Sequence, residues 1–324
     1  MSEAVRPIGP GLLRLVPEYR ERVWGGRRLR AADPPIGEAW IAYGGSRVAD
    51  GPFAGRTVAD LVDEAPSEVL GTDVAERFGP RMPLLVKLLD PADWLSVQVH
   101  PSDEDAVRLV GPGAVGKTEA WHVVEAGPGA GGRIGVRFGT TRDDVVRGIR
   151  DGTILDLLAP LAFEVGQTIL VPAGTLHTIG PDVLLYEVQQ ASDVTFRAWD
   201  WGRPASPDRP LHLDEAIQTA DPAAAPVVCP RPDLAGTATA TVAVCRYFRL
   251  EVVRIDEVPL VADTMGRSLH LLTPLDGSVR VDDGGQAVAV DARDAVLVAG
   301  ATGAYRVSPA GDGPVRLLRA SAPA

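Results

Sequence analysis

Three short runs between Leu84 and Arg203 constrain this chain more than any other feature. They are Ser96-Val-Gln-Val-His100, Gly116-Lys-Thr-Glu-Ala-Trp-His122 and Val171-Pro-Ala-Gly-Thr-Leu-His177. Each sets a good metal ligand on or beside an apolar, strand-like segment. Side chains on a strand repeat every two residues, so Gln98 and His100 share one face. Glu119 follows on the next apolar run, and His177 on a later strand. Two His and one Glu, with a Gln oxygen available, suit a divalent first-row metal such as zinc with one position left open. The tail Tyr186-Glu-Val-Gln-Gln-Ala-Ser-Asp-Val-Thr-Phe-Arg-Ala-Trp-Asp-Trp-Gly-Arg203 is unusually polar and aromatic for a strand pair.

The totals exclude several classes. A length of 324 residues fits one large domain or two of about 150. A net charge of -11 argues against nucleic acid as a partner. No window approaches 18 consecutive apolar residues, so no membrane span is expected, and Met1 to Pro7 carries no apolar signal core. Cys229 and Cys245 do not make a disulfide framework; they are expected as small buried thiols in a reducing compartment.

One bias sharpens the site. Of 32 basic residues only Lys87 and Lys117 are lysine, and the chain has no Asn. Where coding bias favours Arg, a retained lysine is expected where a compact ammonium is needed, because Arg cannot match its geometry or pKa. Lys117 stands two residues before Glu119, and Lys87 lies in the strand leading to His100.

In chain order, residues 11–24 read as one or two strands, 27–32 as a helical turn, and 36–43 as a strand. Thr57 caps a helix over 58–64, which 67–70 continue. Leu84 to Asp90 is a continuous apolar strand, buried on both faces. Ser102 caps a helix with acids in its first turn. Strands follow at 118–125 and 134–138, then a helix at 142–150 capped by Thr141 and a short helix ending at Leu158. A strand, a Pro-Ala-Gly turn and a returning His span 164–180. Strands at 183–190 and 194–199 and a helix at 211–219 complete the first half. Residues 220–234, rich in Ala and Pro, read as a linker. Short strands separated by Gly and Asp turns come after it, which means a sandwich or barrel. His212, His270 and the strand face carrying His122 are expected to be structural, and no second metal site is expected in this half.

Phe163-Glu-Val-Gly-Gln-Thr-Ile-Leu-Val-Pro-Ala-Gly-Thr-Leu-His is similar to the strand, Pro-x-Gly turn and His of a cupin jelly roll. Together with Leu88-Leu-Asp-Pro-Ala-Asp-Trp-Leu-Ser-Val-Gln-Val-His-Pro, Gly-Lys-Thr-Glu-Ala-Trp and the Tyr186–Asp200 tail, it resembles class I mannose-6-phosphate isomerase in its short bacterial form. The resemblance runs from about residue 10 to 220 and continues weakly to the end. It implies a mainly β fold: two cupin-type jelly-roll barrels or sandwiches with a few short helices. Residues 1–220 would form the catalytic metal-binding domain and 235–324 a smaller metal-free one. It further implies one zinc ion held by His100, Glu119, His177 and Gln98, with Arg197 catalytic and Lys117 lining the site. The implied reaction is the interconversion of mannose 6-phosphate and fructose 6-phosphate. His122 stands where many relatives have Tyr.

The residues suit such a reaction. Aldose–ketose isomerisation moves one proton between C1 and C2 through an enediol, and a Lewis acid with a nearby cation stabilises the charge that develops. An acidic protein needs local cations to hold a phosphate; Lys117, Arg197, Lys87 and Arg203 are the candidates. Ser96, Glu187 and Asp200 are expected to line the substrate site with Lys87. A metal-bound water, Lys117, Glu187 or Asp200 could carry the proton. The expected partner is a small phosphosugar, for a cytoplasmic monomer or homodimer. A metal cupin acting on another sugar, or a non-catalytic sugar-phosphate sensor, are the alternatives.

Overall fold

The computed structural model describes residues 11–323 apart from Ala205 and Asp208. The N-terminal stretch examined for a signal core lies outside the described residues. The chain is mainly β, with 40% strand and 17% helix. Its sheets are antiparallel, and it forms two compact units.

One unit holds Tyr19–Ala39 and Val86–Arg231. Its larger sheet has seven strands in the order Val227–Cys229, Thr168–Val171, Glu119–Ala126, Val183–Gln190, Leu84–Leu89, Ile36–Ala42 and Glu18–Gly26. Its smaller sheet has five, in the order Phe196–Trp199, Val97–Val99, His177–Ile179, Gly131–Val136 and Leu158–Ala162. The central strands carry Val, Ile and Leu on both faces, and Leu84–Leu89 is buried throughout, as a doubly covered strand must be. Trp24, Leu89, Leu95, Trp121, Phe163 and Ile169 belong to one cluster of its core. Helices Asp103–Leu109 and Arg142–Asp151 start where Ser102 and Thr141 accept from backbone N–H groups three residues on.

The other unit takes the described residues up to Glu18, Trp40–Leu85 and those from Pro232 onward. It has a seven-stranded sheet, in the order Ala238–Val244, Arg249–Ile255, Val315–Ser321, His270–Pro274, Ala295–Val298, Leu12–Val16 and Arg47–Val48. A second sheet orders Leu260–Asp263, Ala304–Pro309, Val279–Asp282 and Ala287–Val290. Val253, Leu272, Val281, Val296 and Leu317 lie in its core.

The chain divides differently from the expected 1–220 and 235–324. Leu12–Val16 pairs with Ala295–Val298. The helices near residue 70 bond to the 266–269 loop, through Thr72 N to Gly266 O and Leu269 N to Leu70 O. Hydrophobic periodicity finds strands but not their distant partners.

Several local expectations also change. Residues 27–32 form bends rather than a helical turn. Within the supposed linker, Val227–Cys229 pairs with Thr168–Leu170 as an edge strand, hidden in sequence by its Pro- and Ala-rich flanks. Helix Thr72–Phe78 and strands Leu158–Ala162, Ala238–Val244 and Leu260–Asp263 were not expected. Both cysteines are half-buried rather than buried, because each lies at the end of an edge element.

Candidate metal centre and the adjoining cavity

The ligating side chains come from both sheets of the first unit. Gln98 pairs in register with His177 on one side and with Arg197 on the other, so these three stand in a row across the five-stranded sheet. Glu119 comes from the seven-stranded sheet, opposite Val171 and Gln189. The Pro172-Ala-Gly174 turn sets the approach of His177. Gly174 has φ +84°, and its N–H donates to His100 O at 2.9 Å, tying the turn to the second histidine.

His100, Glu119 and His177 converge with their ligand atoms within 4.8 Å of one another, all buried. His100 Nδ1 donates to Val194 O at 3.0 Å and His177 Nδ1 to Thr175 O at 2.9 Å. With those protons on Nδ1, each Nε2 presents a lone pair to the cluster. His177 Nε2 lies 3.4 Å from Glu119 Oε1, and His100 Nε2 lies 3.5 Å from Glu119 Oε2. Two acceptors facing each other in a buried site repel unless a cation lies between them. Glu119 Oε1 is buried without a hydrogen-bond donor among the described residues. Ligand atoms about 2.0–2.2 Å from one tetrahedral ion stand roughly 3.3–3.5 Å apart. The residues therefore fit a divalent metal. Gln98 Nε2 is 3.2 Å from His177 Nε2, and a half-turn of the amide presents its oxygen instead.

Burial, then the Lys117 charge, pushes His100 well below the usual histidine range, and burial pushes His177 down to about 4. Both rings are therefore neutral at neutral pH, the form that ligates metals. Lys117 Nζ stands 2.7 Å from Glu119 Oε2 and 2.9 Å from His100 Nε2. Burial works against its ammonium, but Glu119 and Glu187 outweigh that and raise its pKa.

The polar tail explains how Lys117 is placed. Gln190 Oε1 accepts from Thr118 N at 2.9 Å, Gln190 Nε2 reaches Asp103 Oδ1 at 2.8 Å, and Ser192 Oγ donates to Val115 O at 2.9 Å. The loop is further held by Lys117 N to Pro101 O at 2.9 Å. His122 points to the other face of its strand, with Nδ1 2.9 Å from Thr168 Oγ1, as alternation requires.

A cavity of about 560 Å³, counting its open mouth, adjoins this cluster. Lys87, Ser96, Gln98, Lys117, Glu187 and Arg197 line it, all expected from sequence. Trp121 orients one wall: its ring meets the His177 ring edge-on at 5.3 Å, and its Nε1 donates to Glu187 Oε2 at 3.1 Å. Lys87 Nζ lies 3.5 Å from both Glu187 and Asp193 carboxylate oxygens. Burial, then the Glu119 charge, raises the Glu187 carboxyl.

Two expected residues sit elsewhere. The Asp200 carboxylate is not on the cavity wall; it accepts from Arg203 Nη1 at 2.8 Å and from Arg209 Nε and Nη2 at 2.5 and 2.9 Å. Arg203 is bound to Asp200 and Asp93, so it is not the free cation that phosphate binding needs. A strand carries Asp200 past the wall, a fact that charge alone does not reveal. Conversely, Arg22, Glu38 and Arg209 line the cavity and were not expected there. His212, expected to be structural, clamps the backbone of Arg197: its N–H donates to Arg197 O at 2.9 Å, and its Nδ1 accepts from Arg197 N at 3.3 Å.

A jelly roll with a buried His–Glu–His cluster beside a polar cavity is a cupin built to hold a metal. Residues 12–113 match the family model described as phosphomannose isomerase type I, catalytic domain. The chain is 33% identical over 245 residues to the mannose-6-phosphate isomerase ManA of Bacillus subtilis, covering 72% of this chain and 76% of that one. It is 36% identical over 216 residues to a protein named "Probable mannose-6-phosphate isomerase GmuF" from the same organism, covering 63% of this chain. That match spans 66% of the relative's length, just under two thirds. The crystal structure of a Bacillus subtilis mannose 6-phosphate isomerase superposes with a TM-score of 0.78 at 25% identity, over 96% of this chain and 99% of that one. The chain belongs to the type I phosphomannose isomerase family.

Proposed function

We propose that the chain interconverts mannose 6-phosphate and fructose 6-phosphate, with one divalent ion, zinc by the chemistry of its donors, held by His100, Glu119, His177 and Gln98. The observation that carries this reading is the buried Oε1 of Glu119, which has no donor and faces the His177 Nε2 lone pair in a cluster that His100 completes, beside a cavity lined by an arginine without a carboxylate partner among the described residues. The reaction moves a proton from C2 of the aldose to C1 through an enediol, so no oxidant or reductant is consumed. A bound divalent ion supplies Lewis-acid polarisation of the substrate's oxygens.

The chain's own residues supply the rest. Arg197 carries a guanidinium with no ion pair among the described residues, and it faces the cavity from the strand beside Gln98. Such a cation stabilises an oxyanion as charge develops, and its planar fork orients two oxygens at once. Lys117 keeps its charge and supports the same end of the cavity. Glu187 is the carboxyl group suited to carry the proton, because burial raises it toward the pH at which it exchanges one readily. Its oxygens are held by the Trp121 N–H and face Lys87. A charged sugar phosphate does not cross a membrane unaided, which supports a cytoplasmic location; a monomer or homodimer is the expected assembly. No helix among the described residues is long and apolar enough to cross a membrane.

The test is a coupled assay on mannose 6-phosphate with metal content read on the same sample. Arg197→Ala is expected to lose turnover while retaining metal. Full turnover in that variant would overturn the role of Arg197. Metal-loaded wild type without turnover would overturn the reaction.

A further inference from the structure

Arg197 lines the cavity without an ion pair among the described residues, so no carboxylate places its guanidinium. Its backbone is placed instead. Strand Phe196–Trp199 is the edge of the five-stranded sheet and pairs with Val97–Val99 on one side. The N–H and C=O of one residue on an antiparallel strand point to the same side. Those of Arg197 point outward, away from Gln98, where an edge strand has no neighbour to bond. His212 takes the place of that neighbour. Its N–H donates to Arg197 O at 2.9 Å, and its ring Nδ1 accepts from Arg197 N at 3.3 Å.

Histidine is an unusual choice at this point. Residue 212 is the N-cap of helix Leu213–Thr219, where Ser, Thr, Asp or Asn would bond the free N–H groups of the first turn. The His212 side chain makes no such bond. Its ring lies 6.0 Å from the Phe196 ring and directs its acceptor at the strand. Burial, then the Arg197 charge, holds the ring below the usual histidine range, so it is neutral at neutral pH and Nδ1 offers a lone pair.

The far end of the same helix is tied to the metal cluster. Just past it, Asp221 N donates to Gly174 O at 2.9 Å, and Gly174 N donates to His100 O at 2.9 Å. A side chain on Gly174 would meet Asp221 Cβ at 3.3 Å, so the turn that delivers His177 rests closely on this segment. Ala216 and Ala220 share a core cluster with Val97, Val99 and Leu176, which fixes the helix on the sheet. One short element therefore meets the arginine strand at one end and the turn between the two histidines at the other.

We propose that His212 is a positioning residue for the isomerisation: through the backbone of Arg197 it sets where that guanidinium stands relative to the metal cluster, with helix Leu213–Thr219 as the spacer. The role of Arg197 rests on the isomerase reading above. A cation that acts on charge developing in the transition state costs kcat more than KM when it is displaced.

The test uses the metal-loaded full chain, with steady-state kinetics on mannose 6-phosphate, metal content and amide hydrogen exchange at residue 197. His212→Phe keeps a ring against Phe196 and loses the acceptor. It is expected to lower kcat at least tenfold, with KM within about threefold and metal content unchanged. His212→Asn places an amide oxygen where Nδ1 stands and should keep kcat within about threefold. His212→Gln carries the same amide one bond further out; it should lose kcat as Phe does, and it reads the clamp if the Phe variant fails to fold. A merely structural role would not separate Asn from Gln. Exchange at residue 197 should be at least tenfold faster in the Phe and Gln variants than in wild type and Asn. Wild-type kcat in the Phe and Gln variants, or an equal loss in Asn, would overturn the proposal, as would unchanged exchange at residue 197. Faster exchange in Phe and Gln alone, in a protein whose wild type turns over no mannose 6-phosphate, would support the clamp while removing the isomerase reading.

Discussion

Each unit holds a histidine in a polar cluster, and the two clusters are satisfied differently. In the second unit His270 Nδ1 lies 2.8 Å from Tyr305 Oη, Tyr305 bonds Arg319, and Arg319 Nε donates to Glu251 Oε2 at 2.7 Å. That row is closed, because each group has a complementary neighbour. In the first unit the two Nε2 lone pairs face a carboxylate with an orphaned oxygen. The residue types are similar, His and Glu with a cation. The arrangement decides which cluster is scaffold and which is a site: a closed network adds rigidity, whereas an open one needs something bound.

The largest expected effect comes from breaking the open cluster. Glu119→Gln keeps the shape but removes the one anionic donor of the proposed ligand set. It should abolish metal binding and reduce turnover by more than the 10–100-fold that a supporting residue costs. Metal analysis and the mannose 6-phosphate assay on one preparation check this. Glu187→Gln should retain metal and lower kcat by about 10²–10⁴-fold, the range for a lost proton carrier. A kcat within twofold of wild type would remove Glu187 from that role.

The closed cluster should answer in stability and not in turnover. Tyr305→Phe leaves His270 and Arg319 short of a partner, and it should cost about 1–3 kcal/mol in denaturant unfolding with kcat unchanged. A smaller effect separates the clusters by pH. Burial lowers His270 to about 4, so the unfolded chain binds a proton that the folded chain refuses. Stability is then full above about 6.5 and is lost as pH falls toward 4, at about 1.4 kcal/mol per pH unit for each such ring. His270→Gln should flatten that slope at pH 5 in urea melts; an unchanged slope would assign it to other groups.

The convergence of His100, Glu119 and His177 was legible because it rests on local rules. The two-residue period aligned Gln98 and His100, and the Pro-Ala-Gly turn announced His177. Lys117 stood out because lysine is scarce. The same bias hid Arg22 and Arg209: among 30 arginines, none is conspicuous. Asp200 and Arg203 show the converse limit. Their charges suggested substrate contacts, but the partners that claim them, Arg209 and Asp93, are fixed only by the fold. Helix starts at Thr57, Ser102 and Thr141 were readable from their caps. The pairing of Leu12–Val16 with Ala295–Val298 was not, since nothing local in either strand names its partner.

The central claim is that His100, Glu119 and His177 hold one metal that a phosphosugar isomerase needs. The most direct measurement is metal stoichiometry and mannose 6-phosphate turnover on the same samples of wild type and His177→Ala. The account predicts one divalent ion per chain and turnover in the wild type, and neither in the variant. Turnover that survives in metal-free His177→Ala would contradict it.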